Sequence, residues 1–212
     1  KAELRNQDKY LDKSEFRYIL WLDRIYSKIA TVPGHIIELG VARGRNSIIF
    51  GNLIQLNGDD EIRMYYGFDT FAGYEDKDYE SSPYLDRNDW KNSSKDFVEQ
   101  RVAKAGLAKN VQLVEGDLKQ TLPSFLENTN TNRFIAGHIR IALLYIDCNA
   151  YLPAITGMEL AKKYMSPGGI ICIDEKKQGG ETKALVEFCK KHNLEFIKDN
   201  TPFSIPAYTV IK

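Results

Sequence analysis

Five short apolar runs in this 212-residue chain each end at an acidic residue. Glu38 leads into Gly40, Asp69 follows Phe68, Asp117 follows Gly116, Asp147 follows Ile146, and Asp174 and Glu175 follow Ile173. A carboxylate accepts hydrogen bonds from hydroxyls and amines, and several together hold a hard cation. One such acid is commonplace and serves as a helix cap. Five in succession point to a ligand. The stretch from His35 to Asn46 carries the most information: an apolar run ends in Glu38, turns through Gly40 and Gly44, and enters a helical segment. A turn of that kind brings backbone N–H groups and a helix N-terminus up to a ligand. With a carboxylate at the turn, the ligand is expected to be a nucleoside-bearing cofactor with no phosphate there. Asp69 suits ribose hydroxyls. Asp117 suits the exocyclic amine of a purine. Asp147, Asp174 and Glu175, with Asn149 beside them, supply oxygen ligands of the kind Mg²⁺ takes.

The elements that must position these acids alternate. Residues 13–29 have the apolar spacing of an amphipathic helix, ended by Pro33-Gly34. Strands are expected at 36–39, 64–68, 111–114, 139–146 and 170–173, with helices at 47–56, 95–105, 122–126, 153–164 and 181–191 between and after them. The run from Ile139 to Ile146 is apolar throughout except for Arg140, as a strand buried on both faces would be. Residues 194–197 and 208–211 read as an antiparallel closing hairpin. The polar, aromatic stretch 76–92 reads as a loop, and 166–169 as a turn. Strand and helix in alternation give an α/β fold: a doubly wound, mostly parallel seven-stranded sheet of Rossmann-like type, whose ligands bind beyond the carboxyl ends of the strands. One globular unit is expected over 33–212, with 1–32 as an N-terminal helical cap.

Composition narrows the class. Lys plus Arg equals Asp plus Glu, 29 each, which argues against a nucleic-acid binder reliant on bulk positive charge. No apolar run is long enough to span a membrane. The cysteines, Cys148, Cys172 and Cys189, are odd in number and widely spaced, which fits neither a disulfide framework nor a zinc site, and a reducing cytoplasm is the simplest compartment. The histidines are badly placed for proton transfer. His35 and His138 precede strands, and His192 ends a surface helix. Lys176 and Lys177 follow the last acidic pair, and a lysine there acts as a base if its pKa is depressed.

Four stretches carry a resemblance: Asp69-Thr70-Phe71-Ala72-Gly73, Gly116 through Pro123, Leu144 through Tyr151, and Ser166 through Glu175. Together, in this order and spacing, they resemble the macrocin O-methyltransferase family, a branch of the class I S-adenosylmethionine-dependent methyltransferases that methylates sugar hydroxyls on macrolide antibiotics. The resemblance runs from about Gly34 to Phe188. It implies that Glu38, Gly40 and Gly44 hold the methionine part of the cofactor. It implies Asp69, with Thr70 and Phe71, at the ribose and Gly116 and Asp117 at the adenine. Asp147 then touches both the cofactor and a Mg²⁺ shared with Asp174 and Glu175. The family shows an acid where Asn149 stands and an aspartate where Glu175 stands. The expected catalytic set is Asp147, Asp174 and Lys177. The expected activity is Mg²⁺-assisted O-methylation of a sugar or sugar-bearing natural product, a small-molecule partner with a hydroxyl, by a protein that forms a homo-oligomer or acts alone. A catechol-type phenol methyltransferase and a non-catalytic cofactor-binding module are the alternatives.

Overall fold

The computed structural model describes residues 13–86, 91, 93–127, 139–173, 175, 179–199 and 206–212. The expected helix at the start is α1, Lys13–Lys28, and the first strand is β1, His35–Leu39. Then come α2 (Arg45–Leu56), β2 (Tyr65–Asp69), α3 (Asp76–Ser81), α4 (Lys95–Lys104), β3 (Val111–Glu115) and α5 (Leu118–Glu127). They are followed by β4 (Ile141–Ile146), α6 (Tyr151–Ala161), β5 (Met165–Ile173), α7 (Gly180–His192), β6 (Ile197–Lys198) and β7 (Ala207–Val210).

The seven strands form one sheet in the order β3-β2-β1-β4-β5-β7-β6. β1 pairs in parallel with β2 and β4, β2 with β3, and β4 with β5, while β7 runs antiparallel to β5 and β6. This is the expected doubly wound sheet with its closing hairpin. β1 and β4 are buried at every residue, because helices cover both faces of the sheet. On one face Ile36, Tyr65, Leu143 and Tyr145 pack with α1, α2 and α4. On the other Ile37, Phe68, Leu144 and Ile171 pack with α5, α6 and α7. The strand order reverses between β1 and β4, so the crevice where ligands enter this fold opens above those two strands.

α1 belongs to the first of these layers. Its inward stripe of Tyr18, Trp21, Leu22, Ile25 and Tyr26 is buried. Its carboxyl end is held by Arg63, which is 2% exposed. The guanidinium donates to the carbonyls of Ile29, Val32 and Gly34 at 3.2, 3.1 and 2.9 Å and to Asp59 Oδ2 at 3.1 Å. The Tyr26 hydroxyl donates to the same Asp59 oxygen at 2.5 Å.

Two expectations are corrected. Residues 76–81, read as loop, form α3, because Glu75 and Asp78 make a reciprocal capping box that starts a helix without any apolar periodicity. Residues 166–169, read as a turn, lie inside β5. There the register with β4 shifts, and Gly168 takes φ +81° while its N–H donates to the Ile211 carbonyl at 2.8 Å. The strand bulges at Pro167-Gly168 and continues.

Candidate active site

A solvent-open cavity lies beyond the carboxyl ends of β1, β2, β3 and β4. The turn after β1 forms one side. Gly40 takes φ +95°, and a Cβ there would stand 2.2 Å from the Asp147 carbonyl oxygen, so only glycine lets the turn lie against the end of β4. The turn's shape is fixed from β2. Asp69 Oδ2 accepts the N–H groups of Val41 and Ala42, both at 2.8 Å, and Oδ1 accepts that of Phe71 at 2.7 Å. Ala42 and Phe71 have left-handed backbones, φ +49° and +52°, which L side chains disfavour. One carboxylate thus holds two strained turns against each other, and it still lines the cavity.

Asp117 lines the far wall. Its Oδ1 accepts the Lys119 N–H at 3.0 Å and its Oδ2 the Lys77 ammonium at 3.1 Å. Burial works to raise its pKa, and those two donors outweigh it, leaving the carboxyl below the usual aspartate value. Lys77 also pairs with Glu75, and its own pKa is pushed up by that bond and by Asp117. α3 therefore lies across the cavity as a strap with further anchors beyond it. The Ser82 hydroxyl accepts the Tyr151 N–H at the start of α6, at 3.0 Å. The Tyr84 hydroxyl donates to the Asn149 carbonyl at 2.8 Å and accepts the Gly180 N–H at the start of α7, at 2.6 Å.

Asp147 stands where the turn, the strap and β4 meet. It lines the cavity, and its Oδ2 accepts the side-chain amide of Asn46 at 3.1 Å. Cys148 follows it. Burial first and Glu181 second push that thiol well above the usual range, so it stays protonated.

The expected cofactor residues divide. Gly40, Asp69, Thr70, Gly116, Asp117 and Asp147 line the one cavity. Glu38, Gly44 and Phe71 do not. Glu38 is 1% exposed beneath the turn, where Asn46 donates to its Oε1 at 2.6 Å and Tyr65 to its Oε2. Gly44 faces α4, for a Cβ there would strike Val98 Cγ1 at 2.3 Å. The Phe71 ring is buried in the core. Glu175, expected to bind a metal, has its carboxylate turned to the start of α7. Its Oε2 accepts the N–H groups of Gly179 (3.0 Å) and Thr182 (2.8 Å) and the Thr182 hydroxyl (2.5 Å), and its Oε1 accepts the Glu181 N–H (3.0 Å). A carboxylate so engaged caps α7 and favours its dipole. Among the described residues no group of three or more His, Cys, Asp or Glu is arranged to hold a metal ion. The expected Mg²⁺ set of Asp147, Asp174 and Glu175 is not complete among the described residues, because Asp174 is not one of them. Asp174, Lys176, Lys177 and His138 lie outside the described residues. His35 accepts the Met64 N–H at 3.1 Å and His192 pairs with Glu159, so both serve the framework. Sequence reasoning missed Asn46, Lys77 and Asp78. Asn46 was open to notice as a polar residue in the first turn of the helix after Gly44.

A family model described as a methyltransferase domain matches residues 37–175, from β1 to the end of β5. The chain belongs to that family. No curated protein matches it. Among solved structures, the calicheamicin methyltransferase CalS11 is 24% identical with a TM-score of 0.76, over 98% of this chain and 83% of that one. The O-methyltransferase NovP is 20% identical with a TM-score of 0.69, over 90% and 80%. TomG of Streptomyces achromogenes, solved in complex with SAM, is 15% identical with a TM-score of 0.56, over 90% and 78%. Identities this low speak for a shared fold. The methyltransferase match covers the Gly40 turn and every acid that lines the cavity.

Proposed function

We propose that this protein is an S-adenosylmethionine-dependent O-methyltransferase of the macrocin type, acting on a hydroxyl of a sugar or sugar-bearing natural product. The catalytic unit is taken as residues 33–212, with 1–32 as its helical cap. The observation that carries the reading is the cavity's arrangement of acids. Asp69 and Asp117 line its walls and are assigned here to ribose hydroxyls and a purine amine, and Asp147 stands against the Gly40 turn. S-adenosylmethionine, when bound, supplies a methyl group on a cationic sulfur, which a hydroxyl oxygen takes in a single displacement with loss of the hydroxyl proton. The residues act by positioning the reactants. Gly40 leaves room at the turn. Asp147 accepts the hydrogen of the acceptor hydroxyl. Tyr74 lines the cavity, its ring held edge to face by Tyr79 at 5.9 Å, and offers the acceptor an aromatic face. The proposal carries no metal step. Support for a sugar acceptor comes from the sequence motifs and from the name of CalS11, also solved as a TDP-rhamnose 3'-O-methyltransferase.

Calorimetric titration with S-adenosylhomocysteine tests the cofactor, and transfer of labelled methyl to a panel of nucleotide sugars, macrolide glycosides and catechols tests the acceptor. Saturable binding and labelling of a sugar are expected. Labelling of catechols alone overturns the sugar reading, and absence of binding overturns the enzyme reading. Asp69→Ala is expected to weaken S-adenosylhomocysteine by about tenfold or more, since the N–H groups of Val41, Ala42 and Phe71 lose their acceptor. Unchanged affinity removes Asp69 from the site.

A further inference from the structure

Behind the Gly40 turn lies a chain of buried polar side chains that the proposed chemistry does not use. Asn46, 4% exposed, is its centre. Its Oδ1 accepts the Tyr18 hydroxyl at 3.0 Å. Its Nδ2 donates to Glu38 Oε1 at 2.6 Å and to Asp147 Oδ2 at 3.1 Å. Carboxylates only accept, so the amide has one possible orientation. Tyr18 has one hydroxyl proton and gives it to Asn46. In the 2.7 Å contact between Tyr18 and Tyr145 the donor is therefore Tyr145. Tyr65 completes the set. It donates to Glu38 Oε2 and accepts the Ser47 hydroxyl at 3.0 Å. The Arg45 guanidinium lies 4.0 Å from the centre of the Tyr18 ring and holds that ring from outside.

The chain ends on a cavity acid, to which the Asn46 amide donates. Tyr18 is on α1, Asn46 on α2 and Asp147 beyond β4, so the helix that precedes the matched domain reaches the cavity acid in two side-chain steps. Asp147 also lies against the Gly40 turn, and on the reading above that turn carries the methionine part of the cofactor. Resting on that reading, we infer that Asn46 and Tyr18 are positioning residues, which hold the Asp147 carboxylate toward the positive sulfur of S-adenosylmethionine and so set the preference for the charged cofactor over its neutral product. Such a preference serves the reaction, because S-adenosylhomocysteine leaves more readily once the charge has gone.

The test needs no acceptor. The whole protein is titrated with S-adenosylmethionine, S-adenosylhomocysteine and sinefungin, an analogue with an ammonium-bearing carbon in place of the sulfonium. The unaltered protein is expected to bind the two cations more tightly than the neutral product. Asn46→Ala is expected to weaken the cations by about tenfold and S-adenosylhomocysteine by less than about twofold. Tyr18→Phe, which deletes one oxygen, is expected to weaken the cations by about threefold. Asp147→Asn abolishes the preference, and Asn46→Ala added to it changes nothing further, because the amide acts through the carboxylate. A purely structural amide gives equal weakening of all three ligands and additive losses in the double variant, and either result overturns the inference. Should Asn46→Ala fail to fold, Tyr18→Phe and the cycle of Tyr18→Phe with Asp147→Asn decide by the same criteria. If the unaltered protein binds none of the three ligands, the methyltransferase reading fails and this inference falls with it. If it binds all three equally, only the inference falls.

Discussion

α1 is tied to the sheet by two buried polar knots, one at each edge, and they are built differently. At the amino edge Tyr26, Asp59 and Arg63 bring together a cation, an anion and the carbonyls of Ile29, Val32 and Gly34. Opposite charges meet there, and the donors are spent on the backbone that ends α1. At the carboxyl edge Asn46 gives its amide hydrogens to two carboxylates, with phenols at either end. An amide and a phenol donate to the carboxylates there, and one of those carboxylates lines the cavity. A buried network that pairs its own charges is architecture. One that directs negative charge at an open crevice is prepared for a cationic ligand.

The sharpest way to break that contrast is Arg63→Ala. Removing a buried guanidinium strands Asp59 and three carbonyls, and it is expected to lower stability by about 3–5 kcal/mol. Urea unfolding measures the loss. Among molecules that stay folded, the ratio of S-adenosylmethionine to S-adenosylhomocysteine affinity is expected to be unchanged. A changed ratio would show that the amino-edge knot also reaches the cavity, and the distinction between architecture and site would fail.

Glu175→Ala asks which side of the contrast the capping acid is on. If its four hydrogen bonds to the start of α7 are its whole task, its loss costs about 1–2 kcal/mol, the range for a helix cap. The loss is expected to be equal in Mg²⁺ and in a chelator, read as the shift in thermal midpoint. A loss that appears only in Mg²⁺ makes Glu175 a metal ligand.

The fold was legible in the sequence because apolar periodicity marks buried strands and helices, as in Ile141–Ile146 and in α1. Periodicity is silent where polar side chains shape the backbone. The capping box of Glu75 and Asp78 built α3 in a stretch that reads as loop, and Gly168 bent β5 in a stretch that reads as a turn. The site was legible as a row of acids and no further. Sequence gives each acid's place at a strand end and says nothing of its partners. Asp69 holds two turns, Glu38 lies behind the wall and Glu175 caps a helix, yet all three stand in the same kind of place along the chain. What separates them is which N–H groups the folded backbone turns toward each carboxylate.

The smallest expected effect comes from a third kind of polar contact, the ion pair of Lys77 with Asp117 that ties the strap across the cavity. Their side chains are 35% and 24% exposed, so water screens the pair and its worth is about 0.5 kcal/mol. Its pH window follows from the directions of the shifts. The Asp117 pKa lies below its unfolded value, so the acid's contribution is present above about pH 4 and is lost as pH falls through the folded value. The Lys77 pKa is raised, so the base's contribution is complete below about pH 10 and is lost only as pH rises through the folded value. The stability gap between the unaltered protein and Lys77→Met is therefore expected to be flat from pH 5 to pH 9 and to shrink at both ends. Added salt at about 1 M is expected to shrink it as well, since screening then acts over about 3 Å, while the gap for Arg63→Ala holds. A Lys77 gap that resists salt would place this pair with the buried knots and mark the strap as a fixed wall of the cavity.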